Sequence, residues 1–169
     1  MAISGDLFIF IGTYSSKEAA QADYEVVREL HGVGAVGTYD AAIVTKDAEG
    51  KIHAVKVEMA ARHAGWGGAV AGALVGLLFP PALVGTALVG GAIGVVSGHL
   101  WRGMSRSDVK ELGEIIDAGD VALIVAGENK LEQTLDIRGF GAERHVLKNL
   151  NVTSGDLDKA LLEAAKEVS

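Results

Sequence analysis

Gly5-Asp6-Leu7-Phe8-Ile9-Phe10-Ile11 and Gly119-Asp120-Val121-Ala122-Leu123-Ile124-Val125 begin alike. A glycine and an aspartate precede an apolar β-favouring run, and a polar loop and a helical pattern follow each run. Two such halves, each a strand, a helix and a further strand, predict a ferredoxin-like α+β fold. Its strands share one antiparallel sheet, and its helices cover one sheet face.

Working outward from the first run, Ser16 reads as the cap of a helix from Lys17 to Leu30, with Ala20, Tyr24, Val27 and Leu30 on its inner face. Glu18, Asp23, Glu25 and Glu29 read as its solvated face. Beyond the glycines at 32, 34 and 37, Tyr39 to Lys46 predicts a strand. The turn Asp47-Ala48-Glu49-Gly50 then leads into Ile52 to Met59, which alternates as a half-exposed strand does.

From the second run, the pattern extends both ways. Upstream, Ser105-Arg106-Ser107-Asp108 starts a helix with the stripe Val109, Leu112, Ile115 and Ile116, closing near Gly119. Downstream, Leu131 to Ile137 predicts a short helix, Arg144 to Leu150 a last strand and Ser154 to Val168 a terminal helix.

Between the halves lies a different material. From Ala64 to Trp101 the chain runs 38 residues without Asp, Glu, Lys or Arg. Gly68, Gly72 and Gly76 precede the tip Phe79-Pro80-Pro81, and Gly90, Gly94 and Gly98 follow it. Glycine every fourth residue lets two helices approach backbone to backbone, so the segment reads as a glycine-zipper helical hairpin inserted into the α+β domain. The expected organisation is residues 1–60 and 104–169 as one domain and 61–103 as the insertion.

The two arms, at 1.5 Å per residue, would be roughly 24 and 30 Å long, marginal to sufficient for a bilayer. Lys56, Arg62, Arg102, Arg106 and Lys110 flank them, and Trp66 and Trp101 sit near the bases. An apolar arm of this size cannot stay exposed on a soluble monomer. The expected partners are therefore further copies of the chain, in a homo-oligomer, or a lipid bilayer. The expected location is the cytoplasmic face of the membrane, or the cytoplasm as a soluble oligomer.

Chemistry is harder to find. The chain has no cysteine, so thiolate catalysis and Cys-based metal sites are excluded. A net charge of −7 argues against a nucleic-acid partner. Gly32-Val33-Gly34-Ala35-Val36-Gly37 matches the dinucleotide fingerprint in letters, yet a helix precedes it and a strand follows, the reverse of what a pyrophosphate site needs. Neither Ser97 nor Ser105 has a base assigned to it. The reading is a non-enzyme with no cofactor. A second reading, a small-ligand or metal/haem-binding module, would place a site at the hairpin base on His63, Trp66, His99 and Trp101, which a fold at Pro80-Pro81 brings level.

The chain resembles the bacterial DUF1269 family. The likeness is carried by Asp6 to Ile11 with its helix, by Ala41-Ala42-Ile43-Val44-Thr45-Lys46-Asp47-Ala48-Glu49-Gly50-Lys51, by Gly67 to Phe79 with the glycine-rich arm after it, and by Lys110-Glu111-Leu112-Gly113 leading to Ala122 to Val125. The resemblance implies a membrane address and a glycine-rich hairpin set in an α+β domain. It brings no established activity and no catalytic residues.

Overall fold

The computed structural model describes residues 6–59, 105–117, 119–129 and 141–153. Within them the order is β1 (Asp6–Tyr14), α1 (Lys17–Gly32), β2 (Val36–Lys46), β3 (Ile52–Met59), α2 (Arg106–Glu114), β4 (Val121–Asn129) and β5 (Arg144–Thr153). The strands form one five-stranded sheet in the order β3-β2-β4-β1-β5, and every neighbouring pair is antiparallel. The fold is α+β, and the sheet takes strands from both sides of the glycine-rich segment. The helices expected at Leu131 to Ile137 and Ser154 to Val168, and the hairpin at 61–103, lie outside the described residues.

Register explains the core. Phe8, Phe10 and Tyr14 of β1, Tyr39, Ala41 and Ile43 of β2, and Val121, Leu123 and Val125 of β4 share one face. Ala20, Tyr24 and Val27 of α1 are buried against them, and Leu30 packs alongside, so the stripe read from the 3.6-residue period is the stripe that the helix buries. Each fully buried large side chain contributes roughly 1.5–3 kcal/mol. Ser16 caps α1 by accepting from the Ala19 N–H at 3.1 Å.

The end of α1 is also closed locally. Gly34 adopts φ +81, a left-handed conformation that a side chain would strain, and the Gly34 and Ala35 N–H groups bond back to His31 and Leu30 carbonyls. The His31 Nδ1 lies 3.1 and 2.9 Å from the Val36 and Gly37 carbonyl oxygens and so carries its proton there. The glycine run is thus a helix-to-strand turn, with Gly37 inside β2 rather than before it.

The other sheet face carries Leu7, Ile9, Ile11, Ala42, Val44, Ala122 and Ile124, all buried. Lys148 and Arg144 of β5 stand opposite Ile9 and Thr13 and share that face. Both reach α2, so α2 lies across the sheet from α1. One helix-covered face was expected. The difference is that α2 precedes β4 in the chain, so it is not the crossover helix of either expected half.

Strand ends moved as well. β1 runs past Gly12 to Tyr14, β4 past Val125 to Asn129 and β5 past Leu150 to Thr153. Polar residues such as Thr13 are retained because β1 and β4 are paired on both edges, which satisfies their backbone whatever the side chain.

Candidate functional site

Three polar clusters stand out among the described residues. The first is buried. The Tyr14 hydroxyl donates to Asp23 Oδ2 at 2.5 Å, and the Gly141 N–H donates to both Asp23 oxygens at 2.8 and 2.9 Å. One carboxylate thereby ties β1, α1 and the chain entering β5. Burial, then the hydrogen bond to Asp23 and its charge, push the Tyr14 phenol well above its ordinary value of 10.0, so it stays a donor. Asp23 is 3% exposed, which corrects its placement on the solvated face of the helix.

Space for this knot comes from Gly12. A Cβ there would meet the Tyr14 hydroxyl at 2.8 Å, and Ala142 Cβ and the tip of the Phe10 ring at 2.9 Å. Gly12→Ala should therefore destabilise the protein by about 1–3 kcal/mol in urea unfolding, since neither the tethered phenol nor the strand can retreat freely.

The second cluster surrounds α2. Ser105 and Asp108 form a reciprocal capping box at its start. Lys148 Nζ bridges Glu111 at 2.8 Å and Asp108 at 3.4 Å. At the far end the Lys46 ammonium donates to the Ile116 carbonyl at 3.0 Å. Arg144 donates to the Ile115 carbonyl at 2.8 Å and to Asp117 and Asp120 at 2.7 and 3.3 Å. Cations at a helix C-terminus suit its partial negative charge.

The third cluster is the β2–β3 turn, where Asp47 accepts from the Glu49 and Lys51 N–H groups and meets His53 Nε2 at 2.9 Å. His53 first, and the turn amides after it, hold the Asp47 carboxyl below its ordinary 3.8; the Ser105 amide and then Lys148 do the same for Asp108. A lowered folded-state value means that each group stabilises the fold fully above 3.8 and loses that contribution as the pH falls through the lower value. His53→Ala should move the Asp47 midpoint upward in a carboxyl NMR titration and leave that of Asp108 in place.

None of these clusters assembles a nucleophile with a base. Among the described residues no buried side-chain nitrogen or oxygen lacks a partner, and no three His, Asp or Glu groups gather for a metal. The clusters fasten elements together. The glycines expected to pack, Gly68, Gly72, Gly76, Gly90, Gly94 and Gly98, the expected tip Phe79, Pro80 and Pro81, and the expected base residues His63, Trp66, His99 and Trp101 all lie outside the described residues. The sequence reading missed Asp23, although the spacing 20, 23, 27, 30 was there to place it on the inner face.

A family model described as "Protein of unknown function (DUF1269)" matches residues 65–163, more than half of the chain. That range runs from the glycine-rich segment through α2, β4 and β5; the stretches Asp6 to Ile11 and Ala41 to Lys51 precede it. No curated protein and no solved structure matches the chain.

Proposed function

The chain belongs to the DUF1269 family, proteins of unknown function, and from that premise we propose that it is a non-enzymatic, self-associating structural protein. Its α+β domain carries the glycine-rich apolar hairpin as an arm for homo-oligomer assembly or membrane association. The observation that carries this reading is where the segment lies. In the chain it follows Met59, the last residue of the outermost strand β3, and precedes Ser105, which caps α2. An apolar, charge-free stretch placed between β3 and α2 needs a neighbour to cover it.

The sheet edges support the same reading. β3 and β5 are the outermost strands. Each takes part in an irregular register, between Ile43 and Val44 in the pairing with β2 and between Asp6 and Phe8 in the pairing with β1. Lys56 lies in β3 and Lys148 in β5. Bulges and lysines on outer strands discourage edge-to-edge pairing, which favours the arm as the surface of association. Among the described residues no helix is long and apolar enough to cross a membrane.

The proposal also takes β2, β4, β1 and β5 as a ferredoxin-like sheet with β3 added at its edge. Its support is that β4 lies between β1 and β2, the two strands that α1 joins. Flotation of untagged protein from its native cells separates the two settings of the arm. Protein that floats and resists a high-salt wash has its arm in lipid, whereas a multi-subunit soluble particle has its arms buried among copies. A soluble single chain defeats both.

A further inference from the structure

We propose that α2 is a separately opening ionic clasp, a helix that can leave the sheet while the five strands stay folded and so lengthen the connection to the apolar arm. The functional consequence rests on the arm reading above; the clasp itself does not. Its ground is how α2 is held. Leu112 within it and Ile116 just after it are fully buried apolar side chains, at 0% and 1% exposure. Val109 and Ile115 on the same stripe are only half-buried, and among the described residues the polar ties of α2 to the sheet are ionic or ion-assisted. Lys148 holds Asp108 and Glu111 at the start, and Lys46 and Arg144 hold the Ile115 and Ile116 carbonyls and Asp117 and Asp120 at the end.

These contacts are partly open to solvent. The Arg144 side chain is 49% exposed, Asp117 68% and Glu111 53%, while Lys148, Asp108 and Asp120 are 28%, 30% and 27% exposed. Exposed pairs are weak singly and are screened as salt rises, so their joint hold depends on ionic strength. A nine-residue helix does not persist alone in water, so detachment of α2 is also its unfolding. β1 and β4, by contrast, are paired on both edges and open only with the whole sheet. Release of Ser105 to Asp117 would lengthen the tether by up to about 40 Å, enough for the domain to reorient beside an assembled or embedded arm.

Hydrogen exchange on the full chain, in its native assembly state, tests the clasp. Between about 50 mM and about 1 M sodium chloride, protection of the Val109 to Glu114 amides should fall about five- to tenfold, while that of β1 and β4 holds. The pair Arg144→Gln and Lys148→Gln should lower α2 protection at low salt and abolish most of its salt dependence, with the sheet again unchanged. Lys46→Met, which removes one cation from the other side of α2, should do the same in part. Exchange of α2 at the rate of β1 and β4 under every condition, or α2 protection indifferent to salt, overturns the proposal. Assembly mass measured on the same samples reports on the arm independently.

Discussion

Asp23→Ala should lower the unfolding free energy by about 2–4 kcal/mol, because it strands the buried Tyr14 hydroxyl without its acceptor and takes away the acceptor of the part-buried Gly141 N–H. Tyr14→Phe removes only the donor and leaves Asp23 the Gly141 N–H, so about 1–3 kcal/mol is expected. The two losses should not add. A double-mutant cycle with Tyr14→Phe and Asp23→Ala should return a coupling of about 1 kcal/mol or more, as residues sharing one hydrogen bond do. Urea titrations followed by circular dichroism measure all four corners. Additive losses would mean that the two side chains stabilise the sheet independently and that the buried knot is incidental.

Gly72→Leu and Gly94→Leu should produce the largest change in assembly. In the glycine-zipper reading each of these positions lies where backbones meet, and a leucine would hold the arms apart by the width of a side chain. The particle should dissociate toward smaller species or aggregate, and distribution between membrane and soluble fractions should shift. The α+β domain should keep its fold, with β1 and β4 amides as protected as in the wild type. Leu74→Ala, on a face where no glycine row lies, is expected to weaken association without altering closure of the arms. Wild-type size and distribution in both glycine variants would mean that the glycine rows do not form the packing surface.

The sheet was largely legible because β1 and β4, buried on both faces, read as continuous apolar runs, while Ile52 to Met59 alternates. Ile52 to Met59 was read to the residue, and Ser16 and Ser105 announced their helices through side chains that can accept a backbone N–H. Three things were not legible for physical reasons. Thr13 and Tyr14 look like loop residues until β4 and β5 pair with them on either side. Asp23 looks solvated because charge usually dominates such a reading, and its acceptor role needs Gly141, which lies 118 positions away in the chain. The side of the sheet on which α2 docks is set by Lys46, Arg144 and Lys148, whose direction depends on register rather than on local pattern. Of the candidate site, the sequence supplied the glycine rows and the hairpin base, while the structure supplied the buried knot and the α2 attachments.

The measurement that bears most directly on assembly through the apolar arm is the mass of untagged, detergent-free wild-type protein by light scattering, alongside Gly72→Leu and Gly94→Leu. Wild-type protein is expected as a defined multi-subunit particle or recovered only with membranes, and both variants are expected to depart from that state while retaining the α+β domain. A wild-type protein that is soluble and monomeric would contradict assembly through the arm.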